Sequence, residues 1–265
     1  MKIGFIGLGN MSTAMIGGML EKGLVTSGDI IGSAKTTATI EKIMTRFNIT
    51  TVSENKKVAE EADVLFLAVK PIFLSEVIEE IRDVVRPETL IVSIAAGRTL
   101  AYLREAFGRP ELKLVRCMPN TPALVMEGCT GICAGAGVTE EELERIVGLM
   151  EAFGKASVVP ERMMDVVVGV SGSSPAYVFM FIEAMADEAV AAGMPRKQAY
   201  EFAAQSVLGS AKMVLETGKH PGELKDMVCS PGGTTIEAVK VLEEKGFRAA
   251  VMDAMEACIE KSKNM

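Results

Sequence analysis

Gly4-Phe5-Ile6-Gly7-Leu8-Gly9-Asn10-Met11-Ser12, close to the start of a 265-residue chain, decides the fold. The apolar run Lys2–Ile6 reads as a buried strand, and an amphipathic run opens at Asn10. Between them Gly7 and Gly9 match the first two glycines of a dinucleotide-binding turn. The first permits the sharp reversal, and the second lets a pyrophosphate approach the backbone. Ser12 stands where the third glycine is usual. The placement between strand and helix restores what that substitution takes from the motif.

Outward from this loop, short β-branched runs alternate with amphipathic ones as far as residue 160. The strands expected are Lys2–Ile6, Asp29–Ser33, Thr50–Ser53, Val64–Val69, Leu90–Ile94, Lys113–Cys117, Gly131–Ala134 and Ala156–Val159. The helices expected are Asn10–Lys22, Thr37–Phe47, Lys56–Ala62, Leu74–Val84, Leu100–Phe107 and Glu140–Ala152. This βαβα alternation predicts an α/β fold with a mostly parallel, doubly wound sheet of the Rossmann type over residues 1–160. From Glu161 the strand signals stop. Residues 175–193 and 195–218 read as long helices closed by Gly193 and Gly218, so 161–265 is expected to be an all-α second domain. The 175–193 helix is apolar on most of its circumference. A small helical domain can hide little of such a surface alone, so a second copy of the chain is the expected cover, with a self-contained helical bundle as the alternative.

Composition narrows the function. The net charge is −7 and basic residues are scattered, which gives no footprint for nucleic acid. Five cysteines form no CxxC pair, and an odd count reads as reduced thiols of a cytoplasmic protein. The N-terminus reads as a strand rather than a signal peptide, and no apolar run is expected to reach the ~18 residues of a membrane span. The single histidine, His220, precedes Pro221 and reads as a helix start. A single histidine argues against a His-based triad and against a His-rich metal site.

Several motifs fall where an open parallel sheet binds ligands, at the carboxyl ends of its strands. Gly32-Ser33-Ala34-Lys35-Thr36-Thr37 ends the second strand with hydroxyls and a lysine, and no acid follows until Glu41. That composition suits a 2′-phosphate better than a bare ribose, hence NADPH with NADH still usable. Ala68-Val69-Lys70-Pro71, Ile94-Ala95-Ala96-Gly97 and Arg116-Cys117-Met118-Pro119-Asn120 end later strands at the same edge. Ser173 or Ser174, ahead of Pro175, reads as the cap of the long helix. Near the C-terminus, Ser230-Pro231-Gly232-Gly233-Thr234-Thr235 leads into an amphipathic run. This is a helix start with bare backbone N–H groups and two hydroxyls, suited to a small anion.

Together GFIGLGNM, AVKP, VSIAAG, RCMPNTP, SGSSPAY and HPGELKDMVCSPGGTTIEAVKVLE resemble pyrroline-5-carboxylate reductase, in order and over essentially the whole chain. The last motif is the most specific. The resemblance implies reduction of a cyclic imine to L-proline by a nicotinamide hydride, in a cytoplasmic enzyme of proline biosynthesis. It implies a Rossmann domain followed by a helical dimerisation domain, assembled as a dimer or a ring of dimers. It assigns Ile6, Gly7, Leu8, Gly9, Asn10 and Met11 to the pyrophosphate, and Ser33, Lys35, Thr36 and Asn55 to the adenosine and 2′-phosphate. Ala68, Val69, Lys70, Pro71, Ile94, Ala95 and Ala96 fall to the nicotinamide side. Ser230, Gly232, Gly233, Thr234, Thr235 and Glu161 fall to the substrate, with Thr235 nearest the ring nitrogen as the catalytic hydroxyl. Met227 departs from the polar Asn of some relatives. Two rival readings use the same scaffold. A hydroxyacid dehydrogenase would need a catalytic lysine, for which Lys212 is the one well-placed candidate. A dinucleotide sensor would have lost turnover.

Overall fold

The computed structural model describes residues 1–264 and divides the chain into two compact units. The first comprises Met1–Ser173 together with the segment from Cys258 onward; the second is Ser174–Ala257. In the first unit the elements run β1 (Ile3–Ile6), α1 (Asn10–Glu21), β2 (Ile30–Ser33), α2 (Thr37–Phe47), β3 (Thr50–Val52), α3 (Asn55–Glu61), β4 (Val64–Leu67) and α4 (Leu74–Ile81). They continue as β5 (Leu90–Ser93), α5 (Leu100–Phe107), β6 (Lys113–Met118), β7 (Gly128–Ala134), α6 (Glu140–Glu151), β8 (Gly154–Val158) and α7 (Met164–Val167). The eight strands form one sheet in the order β3-β2-β1-β4-β5-β6-β7-β8.

Every pairing is parallel except β6 with β7. The exception follows from chain length. Only residues 119–127 join those two strands, too few for the helical crossover that a parallel return requires. Central strands β1, β2, β4 and β5 are buried at every position, as strands covered by helices on both faces must be. Side chains then alternate between two cores. Ile3, Phe5, Phe66, Val92 and Val115 pack on one face with α1 and α6, and Ile6, Leu65, Leu67, Ile91 and Leu114 pack on the other with α3, α4 and α5. Phe5 and Phe66, opposite one another across β1 and β4, stack with centroids 4.9 Å apart.

The long helix does not start at a serine cap. Helical backbone already begins at Glu161 and passes through a wide π turn at Val168–Gly172 before α8 (Ser174–Ala191). Ser173 N–H donates to Val168 O at 2.8 Å, five residues back, so this serine lies inside a helical turn rather than ahead of one. Its hydroxyl faces Cys258 Sγ at 3.2 Å, and Ser262 Oγ donates to Asp165 at 2.7 Å; these contacts fix the end of the last helix to the first unit. The stretch Glu161–Ala191 is also long and apolar enough, by length and composition, to cross a membrane. Counting unbroken apolar runs misses this, because Gly, Ser and Pro interrupt a segment that carries no charge from residue 166 to 182.

The second unit holds α8, α9 (Arg196–Thr217), α10 (Pro221–Val228), α11 (Thr234–Glu244) and most of α12 (Phe247–Lys263). Its own core is small: Ala186, Ala199 and Ala203 are buried, with Ile182, Met185 and Val190 against them. Large apolar side chains remain outside, among them Phe179 at 63% exposure, Leu215 at 75% and Met252 at 70%. A surface of this kind is normally an interface.

Candidate active site

The glycine loop is held from both ends. Gly7 N–H donates to Ser33 O at 3.0 Å, and Gly7 O accepts from Ser12 Oγ at 2.5 Å. Gly7 has φ +97°, and a Cβ there would lie 2.6 Å from Ala68 O, so no side chain fits. Ser12, fully buried, therefore does more than fill the third-glycine position: its hydroxyl closes the turn. Gly9 is the opposite case. A Cβ there would meet nothing within 4 Å, so the space above it is left free by the protein itself. Gly9 is also the N-cap of α1, with no side-chain cap, and its carbonyl accepts from Thr13 N and Oγ1. The uncapped N–H groups of a three-turn helix thus face an open cradle.

A cavity of about 460 Å³ adjoins this cradle. It is lined by Ile6, Gly7, Leu8 and Gly9 from the loop, and by Ser33, Lys35, Thr36, Asn55 and Val69. Asn10 and Met11 do not line it: Asn10 is the exposed first residue of α1, and Met11 packs on the core. Ala68, Lys70, Pro71, Ile94, Ala95 and Ala96 also lie outside the lining. They follow the carboxyl ends of β4 and β5, the same edge of the sheet that carries the glycine loop after β1. Sequence reasoning missed Thr39, Ser53, Phe73, Glu76, Val77 and Glu80, which with Ala34 complete the walls. Four of these come from α4 and the turn before it, elements remote in sequence from β2, and only their amphipathic spacing signals that one face looks inward.

Polar contacts within the cavity are ordered. Ser33 is fully buried and its hydroxyl donates to Asn55 Oδ1 at 2.7 Å; Asn55 Nδ2 donates to Glu80 Oε2 at 2.7 Å. Thr36 caps α2 by accepting from Thr39 N, and its hydroxyl meets that of Thr39 at 2.9 Å. Lys35 Nζ sits over the Phe73 ring, 5.7 Å from its centroid. An uncrowded glycine cradle, a helix N-terminus, a cation and hydroxyls, backed by the apolar walls Val69 and Val77, fit a dinucleotide.

Farther along the sheet, Glu161 Oε1 accepts from Leu100 N at 2.6 Å and lies 3.6 Å from the buried Arg116 guanidinium. Burial, and then the Glu161 carboxylate, push the nearby Cys133 thiol up to about 11, so this cysteine is an inert thiol at neutral pH. Asn120 bridges the loop after β6, donating to Ser171 O and accepting from Cys129 N. Asn120 of the RCMPNTP motif thereby ties β7 to the π turn.

In the second unit His220 caps α10, its Nδ1 accepting from Gly222 N at 3.1 Å. Ser230 and Gly232 form the turn into α11, with Gly233 N–H donating to Ser230 O and Gly232 at φ +68°. Gly233 is the N-cap and offers no side chain; Thr234 and Thr235 are the first two helical residues. Uncapped N–H groups and two Thr side chains therefore belong to the same helix start. Met227 is exposed beside it, at 62%. Lys212 is exposed on α9. Among the described residues no cluster of His, Cys, Asp or Glu could hold a metal ion.

Residues 161–265 match the model for pyrroline-5-carboxylate reductase dimerisation, and residues 2–97 match that for coenzyme F420-dependent NADP oxidoreductase. Over 264 residues the chain is 55% identical to the pyrroline-5-carboxylate reductase of Escherichia coli (strain K12), covering all of this chain and 98% of that one. The chain belongs to the pyrroline-5-carboxylate reductase family. A second member, from Methanosarcina acetivorans, is 46% identical over 100% of this chain and 97% of its own. Solved reductases of the family superpose closely. The Coxiella burnetii enzyme has a TM-score of 0.92 at 33% identity, with 99% and 97% of the two chains covered. The Plasmodium falciparum enzyme, solved with NADP bound, has 0.88 at 32%, with the same coverage. The 3-hydroxyisobutyrate dehydrogenase of Mycobacterium tuberculosis, at 16% identity and 0.51, shares the fold alone.

Proposed function

We propose that the chain reduces 1-pyrroline-5-carboxylate to L-proline. The observation that carries this reading is the start of α11, where uncapped N–H groups and two Thr hydroxyls meet at a glycine-bared turn. The bound nicotinamide supplies a hydride to the imine carbon and leaves oxidised, while the nitrogen takes a proton. The chain's own tasks are then to hold a carboxylate and to orient a ring nitrogen. Ser230, Gly232, Gly233 and Thr234 hold the carboxylate at the positive end of the helix. Thr235 directs its hydroxyl to the nitrogen, as a positioning group rather than the ultimate acid. Glu161 stays with the substrate side in this reading, with one carboxylate oxygen fixed by Leu100 N–H. Its work there includes holding the end of the 94–100 loop, where Ile94, Ala95 and Ala96 face the nicotinamide with Ala68, Val69, Lys70 and Pro71.

Purified protein should consume NADPH only when given 1-pyrroline-5-carboxylate, and proline should appear in equal amount. A sample that binds NADPH without turning over this imine would be a sensor, and turnover of hydroxyacids instead would point to Lys212. The same assay with NADH tests cofactor choice. Lys35, Thr36 and the N-terminus of α2 favour the 2′-phosphate, so NADPH should give the lower KM.

The working unit in this reading is a cytoplasmic homodimer, or a ring of such dimers, rather than a membrane-bound form. The apolar faces of α8, α9 and α12 are its interface. Sedimentation at micromolar concentration should show no major monomer, and an active, stable monomer would rule out the dimer.

A further inference from the structure

No acid follows the second strand in sequence before Glu41, yet the fold carries Glu76 and Glu80 of α4 into the cavity that holds Lys35. Four residues apart, they share one helix face. Glu80 is tied into the site by hydrogen bonds whose direction it dictates. A carboxylate only accepts, so Asn55 must present its amide nitrogen to Glu80 and its oxygen to Ser33. Ser33 must then donate inward. Its proton is committed to Asn55 and is withheld from any ligand.

This matters because the two cofactors make opposite demands. A 2′-phosphate needs donors and positive charge, whereas a 2′-hydroxyl can be satisfied by an acceptor. Lys35 is the one cation among the residues lining the cavity, and its Nζ rests over the Phe73 ring, 5.7 Å from the centroid. Glu80 opposes it twice. Its charge stands in the same cavity, and it holds the Ser33–Asn55 pair in the form that keeps the Ser33 proton on Asn55.

Resting on the reading that this cavity takes the adenosine end of a nicotinamide dinucleotide, we propose that Glu80 is a specificity-determining residue that restrains the preference for the 2′-phosphorylated cofactor. Lys35 and Glu80 are opposing weights, and their balance sets the NADPH-to-NADH ratio. The carboxylate disfavours the phosphate by like charge, and loss of that charge lets the Asn55 amide reverse and release the Ser33 proton.

Calorimetric titration of the full-length protein with NADP⁺ and with NAD⁺ tests this without turnover. Glu80→Gln keeps the size and an acceptor for Asn55 but removes the charge. Its NADP⁺ Kd should fall by about three- to tenfold, as for one unit charge within a screening length, while the NAD⁺ Kd stays level or rises. Raising the ionic strength should shrink the difference. Glu80→Ala, with an unchanged melting temperature as its check, should move the ratio the same way, and Lys35→Glu the opposite way. Equal changes for both cofactors, or none in either Glu80 variant while the parent binds, would overturn the proposal. A parent that binds neither cofactor would instead overturn the dinucleotide reading, and this inference with it.

Discussion

Thr235→Val should lower kcat/KM for 1-pyrroline-5-carboxylate by at least tenfold, a loss of about 1.4 kcal/mol or more of transition-state stabilisation. Valine keeps the branched shape and removes only the hydroxyl. In the structure that hydroxyl caps nothing: the N-cap of α11 is Gly233, and no side chain accepts from its first turn. A Thr that satisfied a backbone N–H would cost about 1 kcal/mol of stability when replaced. Here the melting temperature should move by less than about 2 °C, since no such bond is lost. Affinity for NADPH should stay near that of the parent, because the cofactor cavity is built by residues of the first unit alone. The pattern expected is a kinetic loss without a stability loss. Normal kcat/KM with a lowered melting temperature would assign Thr235 to helix capping and remove it from the substrate site.

Legibility in the sequence followed how local each determinant was. Helices α2 and α5 run over the residues that the sequence indicates because each carries its own punctuation. Thr36 and Thr99 cap the starts, and Asn48 and Gly108 take the left-handed conformation at the ends. The buried strands were equally legible, since a run such as Val64–Leu67 has no other stable place than a covered sheet. Strand β7 is longer than expected, starting at Gly128 rather than Gly131. Its first half, Gly-Cys-Thr, lacks the β-branched apolar residues that announce a strand and is held by pairing with β8.

The π turn at Val168–Gly172 was hidden for another reason. Ser-Gly-Ser-Ser-Pro has the composition of a helix start, and only the tertiary setting, including Cys258 and Asp165, makes it a helix interior. At the site, the glycine loop and the Ser33–Thr36 segment were visible because each is contiguous. Glu80 was not. Its closeness to Ser33 exists only through Asn55, and a residue-by-residue search for acids after β2 passes over it.

The two glycines of the loop should separate in their effects, and the difference tests how the cradle works. Gly7→Ala places a methyl 2.6 Å from Ala68 O in a backbone at φ +97°. The loop cannot relax, because Gly7 N–H is bonded to Ser33 O and Gly7 O to Ser12 Oγ. Strain and clash together should cost about 3 kcal/mol or more and lower the melting temperature by roughly 6–12 °C. Gly9→Ala should leave the fold intact. Its φ of −80° is open to any residue, and its Cβ would touch no protein atom within 4 Å. In the proposed dinucleotide pose, that methyl would occupy the space through which a pyrophosphate meets the uncapped N-terminus of α1. NADPH binding, followed by the fluorescence of the reduced nicotinamide, should therefore weaken tenfold or more in Gly9→Ala at an unchanged melting temperature. In Gly7→Ala both quantities should fall together. Should Gly9→Ala bind NADPH like the parent, the open space above Gly9 is not where the phosphates lie, and the cofactor must enter the cavity in another pose.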